Sequence, residues 1–300
     1  MTRDEALKKM KAPGDERGKA CYGVMQLAIT SHCDGGRCSN CTQLLAYRQP
    51  RHMRLENALA AIDSVADYPG VIGIFGGNPC LHPDFEKISR HLAEVIPDRR
   101  RRGLWTNNMN GHGDLIGEVY GYYNINVHGN VGAAAAVRRD LPGVTVWGER
   151  AGESVHGAVL PDLAAVLPSE ADRWALIAEC DVNQRWSPAI VELGGRAKGF
   201  FCEVAAAWAD VCGHRSGVKI APGWWRRPMA DFAAQVDRYC HGCGVPLRMA
   251  GRPDSDRKDD VTAGEREQMA ARENRLGEVV NAESGRCREL TDYMRLREAR

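Results

Sequence analysis

Along the first half of the chain, short apolar runs alternate with segments whose apolar residues return every three or four positions. Residues 24–30 read as a strand, 44–48 as a short helix, and 55–66 as a helix on the spacing of its apolar residues. The run Val71-Ile-Gly-Ile-Phe75 is a compact buried strand that ends in Gly76-Gly77. Pro83 and Asp84 suit the start of a helix over 85–95, since a first turn has no use for the amide hydrogen that proline lacks. The alternation then continues with a strand over 103–106 ending in Asn107-Asn108, a short helix over 115–119, a strand over 123–127, a helix over 133–141 and a strand over 144–147. Repeated strand–helix units imply a parallel sheet, open or barrel-like, with right-handed crossovers. In such folds the loops after the strands carry the site. Here they are 33–41, 76–82, 106–111, 128–129 and 148–153.

Composition bounds this picture without choosing a function. Three hundred residues, 44% hydrophobic, can bury one large domain or a large plus a small one. A formal charge of +1 gives no global argument for nucleic acid or membrane binding. No apolar run reaches eighteen residues, and residues 1–19 are charged and lack a signal-peptide stretch, so a cytoplasmic location is expected. Eleven cysteines in such a chain point to metal binding or catalysis before disulfides.

Three of those cysteines fall within nine residues, Cys33-Asp-Gly-Gly-Arg-Cys38-Ser-Asn-Cys41, directly after the first strand. Iron–sulfur cubanes are normally held by four thiolates, so three leave one iron open to another ligand. The plainer alternative is zinc, with His32 or Cys21 as the fourth ligand, although the spacing is not that of a zinc ribbon. A second set lies far downstream: Cys180, Cys202, Cys212 and the pair Cys240-His-Gly-Cys243. A C-x-x-C pair can chelate one metal centre, and two distant cysteines would complete four ligands. A redox pair or a small zinc site are the alternatives.

The cysteine trio after the first strand, Gly76-Gly77-Asn78-Pro79 after the second and Thr106-Asn107-Asn108 after the third resemble, in order and spacing, the radical S-adenosylmethionine superfamily. The resemblance implies a partial (β/α)6 barrel in which Cys33, Cys38 and Cys41 hold a 4Fe–4S cluster whose open iron chelates S-adenosylmethionine. Reductive cleavage would then give a 5′-deoxyadenosyl radical that abstracts a substrate hydrogen. It further implies that Gly76, Gly77, Asn78 and Pro79 bind the methionyl amine, that Asn40 lies near the adenine, and that Thr106, Asn107 and Asn126 line the cofactor. Three departures are visible. The cysteine spacing is four and two where three and two is commonest, with Gly35 and Gly36 able to absorb the extra residue; Asn40 replaces an aromatic; and Asn78 replaces the usual acid, keeping an acceptor oxygen and losing the charge.

The order of the later cysteines is similar to Twitch or SPASM auxiliary domains, and one cluster's worth points to Twitch. The implied ligands of an auxiliary 4Fe–4S cluster are Cys180, Cys202, Cys240 and Cys243, with Cys212 spare. A glycine that the family places five residues before its second cysteine is not met; Gly195 and Gly199 bracket that place. The implied organisation is an N-terminal extension (1–20), a barrel core (21–160), a Twitch-like domain (161–253) and a charged helical tail (254–300), with Thr262-Ala-Gly-Glu265 as a capping box.

The expected activity is hydrogen abstraction from a small polar substrate, a sugar, cyclitol or nucleotide-like molecule. An alcohol-bearing carbon so treated must still lose an electron, for which the auxiliary cluster is a suitable acceptor, and a proton, for which His128, Glu149 and His156 are candidates. Flavodoxin or ferredoxin would supply the reducing electron. Modification of a peptide or a nucleic-acid base is the alternative within enzymes, and a non-catalytic zinc or iron–sulfur protein the alternative outside them. Arg99 to Arg102 precede a strand, opposite the presumed site, and suit a solvated face. Trp224-Trp-Arg-Arg227 suits either a stacking platform or the closing of a core.

Overall fold

The computed structural model describes residues 1–17, 21–35, 38–186, 188–262 and 279–281. Helix α1 (Arg3–Lys9) opens the chain with a capping box of Thr2 and Glu5. Five strands then alternate with helices: β1 (Met25–Thr30), α2 (Leu55–Asp63), β2 (Ile72–Gly76), α3 (Phe85–Val95), β3 (Arg102–Thr106), α4 (Gly113–Val119), β4 (Tyr122–Asn126), α5 (Val131–Asp140) and β5 (Val146–Trp147). The pairings from β1 to β5 are all parallel and follow chain order. The reason is visible in β1, whose residues are buried on both faces save for a half-buried Ala28, as a central parallel strand requires. Helix α3 covers the sheet with Phe85, Ile88, Ser89 and Leu92, the one-sided spacing of an amphipathic helix.

The second half of the chain returns to the same sheet. After β6 (Val155–His156) and α6 (Glu170–Ala178), strand β7 (Ala189–Leu193) pairs parallel with the free edge of β1, and β8 (Arg196–Phe200) and β9 (Val218–Lys219) continue antiparallel. The spatial order is β9-β8-β7-β1-β2-β3-β4-β5. The sheet is therefore mixed and mostly parallel, and its sixth parallel strand lies beside β1 instead of beyond β5. At that far edge β5 is two residues long and leaves Trp147 exposed, a poor template for a further strand. The helices α7 (Glu203–Val211) and α8 (Ala233–Tyr239) complete this half, and α7 is buried almost all round.

Several side chains settle into structural roles. Trp224 and Trp225 close the core, with Trp225 edge-on to Tyr68 at 5.3 Å and its Nε1 donating to Asp67 (3.2 Å). Arg101 donates to the carbonyls of Gly70, Ala66 and Tyr68, so part of the arginine run ties down a loop instead of facing solvent. The expected helix over 44–48 is one 3-10 turn, Leu45–Tyr47, entered through Leu44 in the left-handed region (φ 51°).

Where a charged tail was expected to begin, Asp254 and the run from Asp259 to Thr262 are buried, with only residues 255–257 between them exposed. Strand β10 (Arg252–Pro253) pairs antiparallel with β6, and β11 (Asp259–Val261) pairs parallel with Val279–Asn281. The helices expected beyond Thr262, with their capping box, otherwise lie outside the described residues. No helix among the described residues is long and apolar enough to cross a membrane.

Candidate active site

The loops after β1, β2 and β3 meet because their backbones interlock. Thr30 O accepts from Gly77 N (2.8 Å) and His32 O from Asn78 N (2.7 Å). A Cβ on Gly76, at φ 136°, would stand 2.1 Å from Thr30 O, and one on Gly77 would stand 2.2 Å from His32 O. Neither position can carry a side chain, so the glycine pair lets the second loop press against the root of the cysteine loop.

Asn78 binds the third loop to the other two. Its Oδ1 accepts from Cys80 N (3.1 Å) and Thr106 Oγ1 (2.7 Å), and its Nδ2 donates to Asp34 Oδ1 and to Asn108 O, both at 3.0 Å. Asp34, in the cysteine loop, also accepts from Asn107 and Asn108 at 3.2 Å. Burial works against the charge of Asp34, but hydrogen bonds from Asn78, Asn110 and Asn107 outweigh it and hold its pKa below the ordinary carboxylate value. An acid at position 78 could not donate to Asp34 and would face its carboxylate; the amide is what this partner requires.

The loops enclose a cavity of about 530 Å³, within the range of small-molecule sites. Cys33, Cys38 and Cys41 form one end, and Gly76, Gly77, Thr106 and Asn107 an adjoining wall. Asn126, His128 and His156 line it as well. Asn78 and Pro79 stand behind the wall, both buried. Asn40 turns away from it, donating from its backbone to Asp259 and from its side chain to Asp260. Glu149 pairs with Arg138 outside the cavity.

The two cavity histidines differ. His156 is half-buried, its desolvation lowers its pKa, and its Nδ1 donates to the carbonyl of Ser39 (2.8 Å). His128 follows β4 with φ 48° and donates from Nδ1 to the buried carboxylate of Asp254 at 2.6 Å. The rings meet edge to face at 5.7 Å. Asp254 Oδ1 also accepts from Gly152 N (3.2 Å), so the carboxylate that orients His128 is itself fixed. Sequence reasoning missed Asp34, Gln43, Glu203 and Asp254; only the last sits in a segment that composition had marked, and there as surface.

Burial pushes the Cys33 thiol up to about 11, and burial with the charge of its two neighbours raises Cys38 further. Cys41 is raised by burial as well. Three thiols whose ionisation burial suppresses are a donor set which bound cations would ionise. Among the described residues, no three His, Cys, Asp or Glu converge tightly enough for a single metal ion. The ligands of a cubane attach at separate corners and are spread more widely. Of the alternative zinc ligands, His32 lies edge-on to His52 (5.9 Å), and the side chain of Cys21 is outside the described residues.

The later cysteines converge similarly. Cys180, Cys202, Cys240 and Cys243 line one narrow apolar pocket, and Cys212, at the C-terminus of α7, is not part of it. Burial first, then the neighbouring thiols of this set, raise Cys202 and Cys240 well above the ordinary value. The free space among them is only about 20 Å³, so an inorganic core requires the thiols to rotate outward. Val182 and Glu203, chain neighbours of Cys180 and Cys202, form part of the large cavity's wall. The pocket of the later cysteines thus adjoins the cavity that the trio lines.

No protein-family model matches this chain, and no curated protein matches it in sequence. Among solved structures it is similar to BtrN in complex with AdoMet and 2-DOIA, with 14% identity and a TM-score of 0.44 over 73% of this chain and 87% of that one. It is likewise similar to selenomethionine BtrN in an open conformation, with 13% identity and a TM-score of 0.39 over 75% and 88% of the two chains. Nothing about the chemistry of this chain follows from likeness at that level.

Proposed function

We propose that this protein is a radical S-adenosylmethionine enzyme that oxidises an alcohol-bearing carbon of a small polar substrate. The observation that carries the reading is that the cysteine trio lines one cavity together with the loops after β2 and β3, and that the four-cysteine pocket adjoins the same cavity through Val182 and Glu203. A 4Fe–4S cluster on Cys33, Cys38 and Cys41 would supply the electron that cleaves S-adenosylmethionine. Cys180, Cys202, Cys240 and Cys243 would hold an auxiliary 4Fe–4S cluster of Twitch type.

The chain's own residues orient the bound molecules. Gly76, Gly77, Thr106, Asn107 and Asn126 line the cofactor side. Asn107 Oδ1 and Gln43 Nε2 are buried without a partner among the described residues, an acceptor and a donor open to a bound molecule. Amide side chains recur around the cavity, with Gln26 and Asn124 besides, and amides both donate and accept, which suits hydroxyl groups. Sugars, cyclitols and nucleosides present such groups.

His128 takes the proton. Asp254 fixes its Nδ1–H, which leaves Nε2 as the acceptor. Bound S-adenosylmethionine would supply the acceptor for the substrate's C–H hydrogen and a cluster on the four later cysteines the acceptor for the remaining electron, while His128 would take the hydroxyl proton, so that loss of two hydrogens' worth of electrons and protons leaves a carbonyl. A one-electron reductant such as flavodoxin or ferredoxin would start each cycle.

Metal analysis after anaerobic reconstitution tests the assignment. The wild-type chain should carry about eight iron atoms, and Cys33→Ala/Cys38→Ala/Cys41→Ala should lose half of them while Cys180→Ser/Cys202→Ser loses the other half. A protein that binds zinc and incorporates no cluster overturns the reading.

A further inference from the structure

The chain from Asp254 to Thr262 grips the cysteine loop from across the molecule. Ser39 N donates to Asp254 O (3.1 Å), and Lys258 N donates to Ser39 Oγ (3.1 Å). Asn40 N donates to Asp259 Oδ1 (2.6 Å), while the other oxygen of that carboxylate accepts from Tyr47 OH (2.5 Å). Asn40 and Asp260 are joined twice: Asn40 Nδ2 donates to Asp260 Oδ2 and Asp260 N donates to Asn40 Oδ1, both at 2.9 Å. Arg252 Nη2 donates to the remaining Asp260 oxygen at 2.8 Å. Ser39, Asn40, Tyr47, Asp254, Asp259 and Asp260 are all buried.

Such burial is costly for carboxylates unless each oxygen is satisfied, and here the oxygens of Asp259 and Asp260 are. The bonds fall between Cys38 and Cys41, on the two residues that separate these thiols. Asn40 sits at φ 49°, a left-handed conformation that side-chain-bearing residues hold only when their surroundings impose it. A thiol pair two residues apart takes its mutual geometry from that backbone.

We infer that Asp259 and Asp260 are positioning residues of the cysteine trio: through Asn40, they hold Cys38 and Cys41 in the arrangement that accepts the cluster. The initiating site is then completed by a segment 220 residues away in sequence. This rests on the trio being the cluster ligands proposed above. Asp254 serves the same segment's second task, holding His128 toward the cavity.

The test uses the full-length, anaerobically reconstituted protein, with iron content and the electron paramagnetic resonance of the reduced clusters, read with and without S-adenosylmethionine. Asn40→Asp sets a carboxylate against Asp259 and Asp260. It should lower the S-adenosylmethionine-responsive signal by about tenfold, as loss of an outer-sphere partner does for metal affinity, and leave the auxiliary signal intact. Asn40→Asp/Asp260→Asn exchanges donor and acceptor across the same bond and should recover most of the responsive signal. Full retention of that signal in Asn40→Asp overturns the inference, and so does a loss of both signals that the exchange variant fails to restore. A wild-type protein without a responsive signal would instead refute the trio's assignment itself.

Discussion

Asn78 accepts two hydrogen bonds and donates two, and each reaches a different part of the three loops around the cavity. Asn78→Asp removes the donor and sets two carboxylates together, so it should lower stability by about 1–3 kcal/mol in thermal or denaturant unfolding. Adding Asp34→Asn should shrink the deficit. Gly77→Ala forces a methyl group onto a backbone carbonyl and should cost about 1–3 kcal/mol as well, together with iron from the cysteine trio. The importance of Gly76 to Asn78 was legible in the motif. Its local reason was not, because Asp34 and His32, more than forty residues earlier, carry no mark in sequence of being the partners.

The strands and helices of the first half were legible because each is an apolar run or an apolar stripe of its own. Which strand pairs with which was not: β7 reads like any other buried strand, and its place beside β1 follows from packing over the whole chain. Asp259 and Asp260 misled for the same reason, since charge predicts a surface unless a partner such as Asn40 absorbs it. The start of α3 carries a pH dependence. His82 donates from Nε2 to Met53 O (2.7 Å) and accepts at Nδ1 from Asp84 N (3.0 Å), and burial lowers its pKa, as it does for His52. The folded state therefore resists protons that the unfolded chain takes up near the ordinary histidine value of about 6.5. Stability should be full above that pH and decline as pH falls through the lowered folded values. Thermal unfolding from about pH 7.5 to about pH 5 should show the decline, and His82→Gln should make it shallower.

At the scale of the molecule, both cysteine sets were recognisable from spacing, but their relation was not: only the fold puts Val182 and Glu203 on a wall of the cavity that the trio closes. Cys80 and Cys212 stand outside both sets, so Cys212→Ser should keep the full iron content. Catalysis by the trio is the central claim, and its most direct test is to reduce the reconstituted protein anaerobically with S-adenosylmethionine and measure 5′-deoxyadenosine by chromatography and mass spectrometry. The account predicts 5′-deoxyadenosine from the wild-type protein and none from Cys33→Ala/Cys38→Ala/Cys41→Ala. Equal yields from the two, or no 5′-deoxyadenosine from wild-type protein that carries both clusters and is reduced in the presence of sugars, cyclitols and nucleosides, would contradict it.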